Sequence, residues 1–140
     1  MAYQWDASLE TGHAKVDNQH MQLITALNNI ITASQEGKSN EEIFKTLDFL
    51  TGYTIMHFQT EEKLMVQYDY SDYLIHKSYH DEFKNTVVDL TKRLTNEGPS
   101  EELVSVVTTT VGNWLLNHIK GDDFRMAAFV KAADTSSQSK

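Results

Sequence analysis

An apolar residue recurs every three or four positions through most of this chain, in four separate runs, and that spacing is the signature of amphipathic helices. From Asp17, the residues Leu23, Ile24, Leu27, Ile30 and Ile31 form one stripe, which ends near Gly37. Ser39, with Glu42 three residues on, reads as a capping box that opens a second run. Its stripe is Ile43, Leu47, Leu50, Thr54, His57, Glu61 and Leu64. Ser71 or Asp72 can cap a third run, which carries Tyr73, His76, His80, Phe83, Val87, Leu90 and Leu94. Gly98 and Pro99 stop that run and start a fourth, with Val104, Val107, Val111, Trp114, Leu115 and His118. Four such helices joined by short loops predict an all-α fold, an up-down-up-down antiparallel four-helix bundle. Residues 1–16 are expected to form an irregular N-terminal arm, 17–130 the bundle and 131–140 a flexible, polar C-terminal tail.

Composition narrows the class. With 140 residues the chain has room for one domain with a real core. It has no cysteine, so disulfides, thiolate metal sites and thiol nucleophiles are excluded. The opening "MAYQWDASLE" lacks the basic and apolar regions of a signal peptide, and no apolar run approaches the roughly 18 residues of a membrane span. A net charge of −8, with the lysines and arginines scattered, argues against nucleic-acid binding. A soluble, cytoplasmic monomer is the expectation.

The histidines carry the chemistry. Of the 6 in the chain, His20, His57, His76, His80 and His118 sit on inward-facing stripes. An inward stripe takes about three of every seven positions, so chance would place all five there roughly once in seventy. Any single one reads as a satisfied core histidine. Five together, with Glu61 on the same stripe, would leave a buried layer of polar groups short of partners, at on the order of 1–3 kcal/mol each. A metal gives every group a partner. The pairs His57 with Glu61 and His76 with His80 are spaced i,i+4, which offsets them by about 40° on a helix, and the antiparallel topology brings all four helices' donors to one end of the bundle. Counting one aspartate after His118, seven donors exceed a tetrahedral zinc site and suit two metals bridged by carboxylates, with iron favoured. His57 is followed by Phe58, so no HExxH zinc-hydrolase motif is present. Only two carboxylates are in prospect, where oxygen-activating di-iron bundles use four, so holding O2 is favoured over cleaving it.

Trp5–Asp6, "DNQH" ending at His20, "HFQTE" from His57, "HKSYH" from His76 and "HIKGDD" from His118 occur in this order, with intact spacing, over residues 3–125. This set resembles the hemerythrins, specifically the single-domain bacterial ones. The resemblance implies one iron held by His76, His80 and His118, and a second by His20 and His57. It further implies that Glu61 and Asp123 bridge the pair, that an oxygen-derived bridge also joins the irons, and that the two-histidine iron keeps an open position for O2. Helical spacing from His118 would choose Asp122 instead. Asp123, at i+5, is rotated by about 140° in a regular helix, so the family assignment requires a distorted turn such as a π-bulge, which Gly121 would ease. Leu23, Phe58, Trp114, Leu115 and Ile119 flank the ligands and match the family's apolar O2 pocket, with ordinary core packing as the alternative reading.

The function so implied is reversible O2 binding at a non-heme di-iron centre, for oxygen storage or delivery to an oxygen-using enzyme, and not catalysis. The alternatives are a di-iron oxidase, peroxidase or nitric-oxide-handling enzyme, and an iron-handling or oxygen-sensing bundle. His13 lies off every stripe and reads as a surface residue, Met56 and Met65 read as core filler, and the tyrosines are given no role.

Overall fold

A computed structural model describes residues 3–138, with side chains as far as residue 134. A single 3-10 turn, Ala7–Leu9, precedes helices α1 (Ala14–Gln35), α2 (Asn40–Gln67), α3 (Tyr73–Glu97) and α4 (Glu101–His118). A π-helical turn at Ile119–Asp123 follows, and the rod then continues as α5 (Phe124–Gln138). α1 packs on α2 and α4, α2 on α3 and α3 on α4, closing the bundle. The stripes read from the sequence face inward: Leu23, Ile24, Leu27, Ile30, Ile43, Leu47, Leu50, Phe83, Val104, Val107 and Val111 form one buried cluster.

Local chemistry sets each helix end. The Ser39 hydroxyl accepts from the Glu42 amide and the Ser100 hydroxyl from the Leu103 amide, so both helices open on a side-chain cap. Asp72 caps α3 by position but makes no side-chain cap bond. α1 begins at Ala14, ahead of the Asp17 start expected, because His13 is its N-cap: the ring Nδ1 accepts from the Val16 amide. His13 is therefore a helix cap rather than an idle surface residue.

Two turns share one geometry. Lys38 N–H donates to the Ala33 carbonyl and Gly37 N–H to that of Ser34, with Gly37 at φ 68°. Tyr70 N–H donates to the Met65 carbonyl and Asp69 N–H to that of Val66, with Asp69 at φ 58°. Both are Schellman closures, which need a left-handed residue after the helix. The second closure reverses the chain between α2 and α3.

The arm is held in place. Tyr3 N–H donates to the Asn28 side-chain oxygen and its carbonyl accepts from the Asn28 amide, both at 2.7 Å. Its ring lies over Gly112, where any Cβ would collide with it. The tail expected over 131–140 is helical as far as Gln138, and its remaining residues lie outside the described ones. α5 has a packing role: Met126 and Val130 join Val16, Met65 and Tyr70 in a second cluster beyond the main core. Met65 is fully buried there, whereas Met56, expected in the core, is 39% exposed.

Gly37 has open space around it, so Gly37→Ala should lose about 1 kcal/mol from the left-handed backbone alone. Asp69→Gly, at a matching conformation, should cost nothing or stabilise slightly. Urea unfolding of the two variants checks both.

Candidate metal centre

His20 sits near the start of α1, His57 and Glu61 near the end of α2, His76 and His80 near the start of α3, and His118 at the end of α4. Antiparallel packing therefore stacks all six at one level. The seventh, Asp123, arrives through the π turn. In an unbroken helix the residue five beyond His118 would point away from the bundle interior. The wider turn at Ile119–Asp123 rotates Asp123 inward until it is fully buried, and leaves Asp122 at the rim with 21% of its side chain exposed. The structure thus brings together His20, His57, Glu61, His76, His80, His118 and Asp123, every one of them buried.

The atoms fall into two groups. Glu61, His76, His80, His118 and Asp123 offer one, and His20, His57, Glu61 and Asp123 the other, with the donor atoms of each group within 4.8 Å of one another. The two carboxylates belong to both, and they divide their oxygens between them. Glu61 Oε1 lies 3.2 Å from His76 Nε2 and 3.0 Å from His80 Nε2, while Oε2 lies 2.8 Å from His57 Nε2 and 3.3 Å from His20 Nε2. Asp123 Oδ1 lies 3.1 Å from both His76 Nε2 and His118 Nε2, while Oδ2 lies 2.9 Å from His20 Nε2.

These groups satisfy one another only in part: His20 Nε2 and His76 Nε2 are hydrogen-bonded to Glu61, at 3.3 and 3.2 Å. Neither Asp123 oxygen nor His57 Nε2 has a partner in hydrogen-bonding direction, although all are shut off from solvent. Three of the imidazoles also have their protons placed. His57 Nδ1–H donates to the Gln19 side-chain oxygen at 2.7 Å, His80 Nδ1–H to Glu62 at 2.9 Å and His118 Nδ1–H to Asp122 at 2.9 Å. An oxygen acceptor on Nδ1 turns the Nε2 lone pair of each neutral ring inward. His80 Nε2 and His118 Nε2 then face each other at 3.1 Å as two acceptors, an arrangement that needs positive charge between them. Orphaned inward donors, fixed tautomers and facing lone pairs are what a pair of metal cations would satisfy, and the residues fit such a centre.

Electrostatics say the same. Burial alone would push His20 and His76 down, but the Asp123 and Glu61 carboxylates beside them reverse this and raise both to about 9. His80 is raised as well, against its burial, by Glu61 and Glu62. Glu61 is held well below the usual carboxylate range, since His57, His20 and His76 outweigh its burial. Asp123 is likewise lowered, although burial and Glu61 oppose it, by His118 and His20. The cavity demands cationic charge at neutral pH.

The expected pocket residues are all in contact with the core: Leu23, Phe58, Leu115 and Ile119 are buried, and Trp114 is partly so. Two of them occupy a definite side. Phe58 stacks on His80 with centroids 3.8 Å apart, and Trp114 stacks on His118 at 4.4 Å, so both rings brace the three-histidine group. Phe83 stacks in turn on Trp114 at 4.0 Å. The residues that sequence reasoning missed are Gln19 and Glu62. Gln19 stood inside the "DNQH" motif and Glu62 beside Glu61, and only the packing of neighbouring helices shows what they touch.

The sequence profile of the Hemerythrin HHE cation binding domain matches residues 11–130. A bacteriohemerythrin of Pseudomonas aeruginosa is 33% identical over 120 residues, covering 85% of this chain and 75% of that protein. A bacteriohemerythrin of Methylococcus capsulatus is 33% identical over 113 residues, covering 81% and 84%. The crystal structure of a wild-type hemerythrin superposes with a TM-score of 0.81 at 28% identity, covering 93% of this chain and 98% of that one.

Asp123→Ala should leave the protein unable to hold two metal ions per chain, as read by elemental analysis after anaerobic loading with ferrous iron. Two ions retained per chain would remove the π-turn carboxylate from the site.

Proposed function

We infer the function from a family premise: the chain belongs to the hemerythrin family, its profile match and relatives spanning most of the sequence. On that premise we propose that it binds O2 reversibly at a non-heme di-iron centre. His76, His80, His118, Glu61 and Asp123 would hold one iron, and His20, His57, Glu61 and Asp123 the other. Two ferrous ions there would supply the two electrons that O2 takes on binding and gives back on release.

The observation that carries this reading is the unequal division of donors around shared carboxylates. One group has five protein donors and the other four, so the second position has one fewer ligand and room for an exogenous one. The surroundings favour holding over turnover. Leu23, Phe58, Leu115 and Ile119 are at most 4% exposed, and such apolar packing keeps water and anions from the centre. Among the described residues, the further carboxylates touching these histidines, Glu62 and Asp122, are engaged at ring Nδ1 atoms on the outside of the cluster. The donor set also has two carboxylates rather than the four of oxygen-activating di-iron bundles. We therefore propose a carrier rather than an oxidase, acting as a cytoplasmic monomer in oxygen storage or in delivery to an oxygen-using enzyme. No helix among the described residues is long and apolar enough to cross a membrane.

The test is optical. Ferrous-loaded protein cycled between O2 and argon should develop a visible charge-transfer band under O2 and lose it under argon, over repeated cycles. One-way oxidation, or steady consumption of O2 with a reductant, would contradict the carrier reading.

A further inference from the structure

The hydrogen bonds on the outer edge of the histidine cluster are unequal on its two sides. On the three-histidine side, His80 Nδ1–H donates to the Glu62 carboxylate and His118 Nδ1–H to the Asp122 carboxylate, both at 2.9 Å. Arg125 donates to the other oxygen of Asp122 and so fixes that carboxylate's orientation. Phe58 and Trp114 stack on the same two rings and hold their planes. On the two-histidine side, His57 Nδ1–H donates to an uncharged amide, Gln19, which is itself oriented by donating to Thr60 Oγ1 at 3.2 Å. His20 Nδ1 is buried and makes no hydrogen bond at all.

An anionic acceptor on Nδ1 draws the ring proton outward and makes the opposite nitrogen a stronger donor, and a neutral acceptor does so much less. Two of the three imidazoles on one side are backed by carboxylates, and neither imidazole on the other is. We propose that Glu62, Asp122 and Gln19 are positioning residues that rank the two metal positions, making the three-histidine position the tight one and the two-histidine position the loosely held, more electron-poor one. The ranking places the stronger-donating ligands opposite the position that would receive the exogenous ligand. It rests on the two-metal reading above and adds to it, since unequal ligand number alone would not make the affinities depend on Glu62, Asp122 or Gln19.

The ferrous-loaded protein, equilibrated anaerobically against rising concentrations of a ferrous chelator, should lose its iron in two steps. Removal of one outer partner typically costs 10–100-fold in metal affinity. Glu62→Gln and Asp122→Asn should each move the second, tighter step by about that factor to lower chelator concentration and leave the first step in place. Gln19→Glu should shift the first step the other way, narrowing the gap. The Glu62 and Asp122 side chains are 16% and 21% exposed, so these near-isosteric changes disturb little packing, and circular dichroism of each loaded variant checks the fold. Unchanged steps in both Glu62→Gln and Asp122→Asn, or equal movement of both steps, would overturn the ranking while leaving the two-metal centre standing. A wild-type chain that holds only one iron would overturn both.

Discussion

Two carboxylates with no access to water, Glu61 and Asp123, set the terms for the rest of this molecule. Burying one ionised carboxylate costs several kcal/mol even after relaxation, and two held side by side also repel. Nothing in the apolar bundle can offset that except positive charge at close range. The five histidines provide it when protonated, and two divalent ions would provide it with better geometry, since a metal would use the lone pairs that the Nδ1 hydrogen bonds turn inward. The helix ends, the π turn and the second small core can all be understood as what holds those seven side chains against their own cost.

The π turn is the clearest instance. A regular helix would present Asp122 to the interior and leave Asp123 facing away. By widening one turn, the backbone exchanges their positions: Asp123 enters the cluster, and Asp122 becomes the outer acceptor for the same histidine that precedes it, His118. One distortion therefore brings one carboxylate into the cluster and sets the other outside it, against His118. Met126 and Val130, beyond the turn, pack with Val16 of α1 and Met65 of α2. Phe58 and Trp114 do the equivalent work for ring orientation, each lying flat against a histidine.

Much of this was legible in the chain, because helical periodicity is a local property and the inward histidines obey it. Leu27, Leu47, Phe83 and Val107 could be placed on the core face from spacing alone, and so could His57 with Glu61 and His76 with His80. Spacing alone points to Asp122 and the family resemblance to Asp123, and the structure has the distorted turn that the second choice requires. Gln19 and Glu62 are not legible in the sequence, because their contacts depend on which side chain of a neighbouring helix they meet, a relation that spacing along one helix does not contain. Met56 shows the same limit from the other direction: an apolar residue near the stripe, it lies 39% exposed beside Gln19 and Thr60. The cap at His13 is not legible either, because histidine is not among the residues usually read as helix starts.

The proposed centre is an unsymmetrical pair of iron ions that would share Glu61 and Asp123. Anomalous diffraction at the iron edge from crystals of ferrous-loaded protein tests it most directly. Two iron peaks are expected between those carboxylates, one bounded by the Nε2 atoms of His76, His80 and His118 and the other by those of His20 and His57. A single peak, or two peaks with the carboxylates bound to only one of them, would contradict it.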